Sequence, residues 1–139
     1  MNISMLIESI RKHEGLSLVP YKDTEGHLTI GYGKNLDAGI SLRQAYLLLD
    51  SDIETCMIEL DKGFPGWREH PDHVQNVLLE MQFNLGRPRL AKFQKMWAAL
   101  ANDDYETAAK EMLASKWAEQ VGQRAQTLAK QMAEGFPND

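Results

Sequence analysis

Between Glu14 and Gly33 the chain carries four glycines, Gly15, Gly26, Gly31 and Gly33, and only short alternating runs; from Ser41 onward its apolar residues recur at three and four positions. A period of two broken by glycine fits a hairpin, and a period near 3.6 fits amphipathic helices. Segregated along one chain, the two predict an α+β protein. The expected layout is one domain over 1–139, with a hairpin lobe at about 14–40, a linking helix at about 41–60 and a helical lobe at about 74–135.

Ile3, Leu6, Ile7 and Ile10 predict a first helix with Asn2 or Ser4 as N-cap and Gly15 as its stop. Continuing that stripe reaches His13 and Glu14, so the Glu14 carboxyl is expected to be partly desolvated, which favours its protonated form. Leu18 to Tyr21 reads as a strand that Pro20 confines to an edge, Thr24-Glu25-Gly26 as a turn, and His27 to Tyr32 as the return strand. Asp23 and Thr29 are symmetric about Gly26, which predicts a loop of about five residues with the two side chains roughly opposite. Asn35 to Ile40 is turn-like. Ser41 is the expected N-cap of a helix long enough to link two lobes, about 30 Å for roughly 20 residues. Lys62 to His73, with Gly63, Pro65, Gly66 and Pro71, reads as a loop. Four helical stripes follow, opening near Val74, Phe93, Asp103 or Asp104, and Trp117. Gly122 then precedes a last helix through Met132.

A formal charge of −5 argues against a nucleic-acid partner, which would normally meet a basic face. Cys56 is the single cysteine, so no intramolecular disulfide is possible, and its place in an apolar stripe makes it a small core residue. The first residues lack the basic segment and continuous apolar run of a signal peptide, and no run reaches membrane-spanning length. Synthesis in a cytosol and no membrane insertion are therefore expected; a target outside the membrane would require another agent to let the protein out. No large apolar stripe is left unassigned, which points to a monomer.

Glu14 and Asp23 stand nine residues apart, with Thr29 six further on. A lone acidic pair is usually surface charge. Here one carboxyl ends an apolar helix face, the other precedes a tight turn, and a hydroxyl is expected across the hairpin. That set suits glycoside hydrolysis, in which a carboxylic acid protonates the leaving oxygen and a carboxylate activates water.

These residues closely resemble the signature of the phage-type lysozymes, the endolysins of the T-even phage kind: Glu-Gly, then Tyr-x-Asp-x-x-Gly-x-x-Thr-x-Gly-x-Gly, here Glu14-Gly15, Tyr21, Asp23, Gly26, Thr29, Gly31 and Gly33. More weakly, Met81-Gln82-Phe83-Asn84-Leu85-Gly86 is similar to the helix end that family places beside its sugar cleft. Ser115-Lys116-Trp117 followed by Gln123-Arg124-Ala125 is similar to the segment that turns an arginine toward the catalytic glutamate. The resemblance implies a lysozyme-like fold and an inverting muramidase acting on the β-1,4 bond between N-acetylmuramic acid and N-acetylglucosamine. Glu14 would be the general acid, Asp23 the base or electrostatic partner, and Thr29 the residue that holds the attacking water. Tyr32, Asn84 and Arg124 are the expected substrate-side residues, Arg124 pairing with Glu14 and Trp117 mainly packing. Peptidoglycan is the implied partner, reached from the host cytoplasm through a holin-type lesion, and no cofactor is implied.

The chain departs from the family in having Lys34 where histidine is common, a shorter link into the long helix, and an acidic charge where many relatives are basic. His70-x-x-His73 lacks the further ligands of a metal site, so no metal is expected. His13 reads as a cleft-edge residue. Two rival readings keep the fold without the chemistry: a wall-binding module and a structural component of a phage particle.

Overall fold

A computed structural model describes residues 1–137 and shows an α+β protein of eight α-helices and one three-stranded antiparallel sheet among those residues. The chain divides into two compact units, Met1–Leu48 and Leu49 onward.

In the first unit, helix α1 spans Ile3–Glu14. Asn2 caps it, its side chain accepting the Met5 N–H at 3.1 Å, and Gly15 ends it at φ 69°. The sheet comprises β1 (Ser17–Lys22), β2 (Leu28–Gly31) and β3 (Lys34–Asn35), in the order β1-β2-β3. Pro20 lies on an edge strand, as its missing N–H requires, and the β1–β2 pairing slips between Ser17 and Tyr21, across that residue. The short strand β3 falls where the sequence reads only as a turn.

The hairpin register differs from expectation. Thr29 pairs with Tyr21 and Lys22 with Leu28, so Thr29 lies two residues away from facing Asp23. The cause is a tighter loop. The Asp23 N–H donates to the His27 carbonyl at 2.9 Å, and the Gly26 N–H donates to the Asp23 carbonyl at 3.0 Å. Gly26 sits at φ 83°, which completes a three-residue turn that only glycine adopts cheaply.

Helix α2 (Leu42–Gly63) begins in the first unit and ends in the second. Ser41 and Gln44 form a reciprocal capping box: Ser41 Oγ accepts the Gln44 N–H at 3.1 Å, and Gln44 Oε1 accepts the Ser41 N–H at 2.9 Å. The helix persists into the expected loop as far as Gly63, and a single 3-10 turn at Trp67–Glu69 breaks the rest of that loop.

The second unit continues with α3 (Asp72–Leu85), α4 (Arg87–Leu90), α5 (Gln94–Ala101), α6 (Tyr105–Leu113), α7 (Lys116–Val121) and α8 (Gln123–Glu134). The core lies here: Leu60, Val74, Val77, Leu78, Met81, Leu90, Met96, Met112 and Met132 are fully buried. Side chains of this size each stabilise the fold by about 1.5–3 kcal/mol relative to exposure. Asp104 is the cap of α6, accepting the Thr107 N–H at 3.1 Å. Cys56 is buried, and its thiol is pushed up in pKa by desolvation and by the nearby Asp52 charge, as befits a packing residue. His70 and His73 pack around Tyr105, with His70 Nδ1 3.0 Å from the Tyr105 hydroxyl.

Candidate active site

Glu14 is the last residue of α1, and its carboxyl lies close to Gly33 in the turn between β2 and β3. A Cβ placed on Gly33 would come within 2.5 Å of Glu14 Oε2 and 2.9 Å of its carboxyl carbon. Gly33 also sits at φ 77°, so the backbone conformation favours glycine there, and an added Cβ would push the Glu14 carboxyl aside. The expectation of partial desolvation is not met. Glu14 is exposed, because α1 buries none of its residues and its apolar stripe of Ile3, Leu6, Ile7 and Ile10 is exposed with it.

Asp23 opens the β1–β2 turn and is tied into it. Its Oδ1 accepts the backbone N–H groups of Glu25 at 2.9 Å and His27 at 2.8 Å. The His27 imidazole stands 3.6 Å from Oδ2. The His27 N–H is the main cause of an Asp23 pKa held below the usual carboxylate range; desolvation, the next in size, opposes it, and the Glu25 N–H and the His27 charge add to the lowering. Asp23 is therefore an anion at neutral pH.

Thr29, on the central strand, is the one buried residue of the first unit, at 3% exposure. Its hydroxyl donates to the His27 carbonyl at 2.9 Å, which leaves the oxygen lone pairs able to accept a bond from water. Asp23 and Thr29 are thus held through the same peptide groups of His27 rather than by facing each other across the hairpin.

Tyr32 is exposed, with the Arg11 guanidinium 5.4 Å from its ring centroid, a cation–π distance. It borders an open concavity of about 770 Å³ shared with Arg11, Lys12, His13 and Leu16. Sequence reasoning missed His27 and Arg11. The signals were the turn that makes His27 the partner of Asp23, and the three-residue spacing that puts Arg11 one helical turn before Glu14.

The remaining two expected residues belong to the helical unit. Asn84 Oδ1 accepts the Trp117 indole N–H at 2.7 Å, and Trp117, 3% exposed, packs edge-on against Phe93 with centroids 6.0 Å apart. Trp117 is a packing residue, as expected. Arg124, for which the resemblance implies a pairing with Glu14, has its ion-pair partner within its own unit: Nε donates to Glu80 Oε2 at 3.0 Å.

The phage lysozyme family model matches residues 11–134. The chain belongs to the phage lysozyme family. A curated relative is the pre-baseplate central spike protein Gp5 of Enterobacteria phage T4, 29% identical over 153 residues. That match takes in 89% of this chain but 26% of the relative, so the chain spans about a quarter of the spike protein's length. Glu14, Asp23, Thr29, Tyr32, Asn84 and Arg124 all fall inside the stretch that the phage lysozyme model covers.

Proposed function

We propose that this phage lysozyme family member is a peptidoglycan hydrolase that cleaves the β-1,4 bond between N-acetylmuramic acid and N-acetylglucosamine with inversion. The observation that carries the reading is the contrast between its two carboxyls. Asp23 is fixed as an anion by two backbone N–H donors, while Glu14, among the described residues, accepts no such donors and rests against a glycine turn. Groups in environments this different suit different roles in one reaction. Glu14 donates a proton to the leaving glycosidic oxygen, Asp23 draws a proton from water or stabilises developing positive charge, and Thr29 Oγ1 accepts a hydrogen bond that orients that water. Inversion requires the carboxyls to be about 6.5–9.5 Å apart with water between them. Tyr32, Asn84 and Arg124 serve the sugar chain as binding residues. The protein acts as a monomer, is made in the host cytoplasm, reaches the wall through a membrane lesion and lyses the cell.

The test pairs Glu14→Gln with wild type on outer-membrane-permeabilised Gram-negative cells, with circular dichroism to confirm folding. The variant is expected to lose about a hundredfold to ten-thousandfold in clearing rate, the range that general-acid catalysis contributes. NMR of the first-formed product is expected to show an inverted anomeric centre. Clearing by a folded Glu14→Gln protein would sink the assignment of Glu14, and a retained anomer would sink that of Asp23 and Thr29.

A second reading is favoured by the spike relative: the unit serves as part of a phage particle. Co-sedimentation with particles and absence from the soluble lysate would support it.

A further inference from the structure

His27 ties the candidate site together twice through its backbone: its N–H donates to Asp23 Oδ1 at 2.8 Å, and its carbonyl accepts the Thr29 hydroxyl at 2.9 Å. The imidazole adds a third link. Nδ1 stands 3.6 Å from Asp23 Oδ2 and 3.7 Å from Glu25 Oε2, on a side chain that is 45% exposed. Asp23 Oδ1 is taken by two backbone N–H groups, so Oδ2 is the carboxylate oxygen left to the ring. Among the described residues, Asp23 and Glu25 are the charged side chains within ion-pair distance of it. Two further charged residues meet the neighbouring backbone: Lys22 of β1 pairs with Leu28, and Asp37 Oδ2 accepts the Leu28 N–H at 3.0 Å. Imidazoles change charge between about pH 5 and 8. A protonated ring here offsets the Asp23 charge, and a neutral one leaves the carboxylate its full charge. The ring's charge and its hydrogen bond are among the causes that hold the Asp23 carboxyl low.

We propose that the His27 side chain is a proton-controlled counter-ion of Asp23, which turns down the work of that carboxylate as pH falls through the histidine range. That Asp23 has such work to do rests on the hydrolase reading above; the pairing of ring and carboxylate does not. A carboxylate that draws a proton from water, or stabilises positive charge developing on a sugar, is weakened by a cation 3.6 Å away. Glu25 shares the ring, which limits the effect to that of an exposed ion pair. His27 acts through Asp23 and is a positioning residue. A side-chain substitution removes the imidazole and leaves its two backbone bonds in place.

The experiment follows soluble sugar release from purified Gram-negative sacculi by the full-length wild type, His27→Gln and His27→Lys, with circular dichroism to confirm folding. The ratio of the wild-type rate to the His27→Gln rate cancels the groups that the two proteins share. It is expected to fall about two- to fivefold from about pH 8 to about pH 5, the size of an exposed ion pair. Its midpoint should coincide with the titration of the His27 ring in NMR, the one of four histidine signals that His27→Gln lacks. His27→Lys, charged throughout, should stay below His27→Gln at every pH. A ratio that does not change with pH is what a merely structural ring would give, and it would overturn the proposal. So would a ratio that rises toward acid, which would mean that the imidazolium draws in the anionic wall. The pairing itself is read without any hydrolysis, by carbon NMR of the Asp23 carboxyl, which should titrate at higher pH in His27→Gln than in wild type. A moved Asp23 titration with no sugar release by wild type refutes the hydrolase and keeps the pairing. Sugar release with an unmoved Asp23 titration does the reverse.

Discussion

A single Cβ decides whether Glu14 can rest where it does. Gly33→Ala places that atom 2.5 Å from Glu14 Oε2 at a backbone φ of 77°, so it combines strain with a displaced carboxyl. Gly39→Ala is the natural control, because Gly39 has a similar φ of 79° and open space around its missing side chain. Both variants are expected to lose about 1–2 kcal/mol of stability from left-handed strain, but only Gly33→Ala should lose lytic activity, by at least tenfold. Thermal melts and turbidity assays read the two effects separately, and equal activity in the two variants would show that Gly33 does not position the carboxyl. At this scale the sequence was informative in part. Gly31 and Gly33 could be read as sites of close approach or positive φ, and Gly33 is both, whereas Gly31 has open space. The exposure of Glu14 was not legible, because a helical stripe states which face is apolar and not what covers it.

The hairpin shows why an element's existence is easier to read than its register. Its strands and turn were visible in the alternation around Gly26, but the Asp23 side chain accepts two loop N–H groups and shortens the loop, which moves Thr29 opposite Tyr21. Ser41 was legible as a cap because the Ser-x-x-Gln spacing is itself the mechanism. β3 and α4 are two and four residues long, too short for any period to declare itself. The same side-chain-to-backbone bonds carry a pH consequence. Asp23 is held below its ordinary pKa chiefly by the His27 N–H, Asp61 by Arg68, and Asp104 by Thr107. A carboxylate whose folded pKa is depressed adds stability that is present above its unfolded pKa, about 3.9, and is lost as pH falls through the folded value. The melting temperature should therefore fall as pH drops below about 4. Asp104→Asn, which keeps a capping oxygen, should flatten that acid limb in calorimetry; an unchanged limb would exclude Asp104 from it.

Across the whole molecule, apolar burial is unevenly shared. The fully buried large side chains, Leu60 to Met132, all belong to the helical unit, while in the hairpin unit the sole buried residue is Thr29. Protection against hydrogen exchange follows buried, cooperatively packed structure. Amides of α3 and α8 should exchange slowest, and those of β1–β3 markedly faster, in native-state exchange followed by NMR. Equal protection in the two units would mean that the hairpin unit draws stability from something other than its own packing. The aromatic residues divide along the same line. Trp67, Trp97 and Trp117, the only three tryptophans of the chain, all lie in the helical unit, where each indole nitrogen donates a hydrogen bond: to Asp61, to the Leu90 carbonyl and to Asn84. Ultraviolet emission from this protein is therefore a one-sided witness. It will register melting of the helices and any ligand that disturbs Trp117, and it will stay dark to unfolding confined to the strands that carry Asp23 and Thr29.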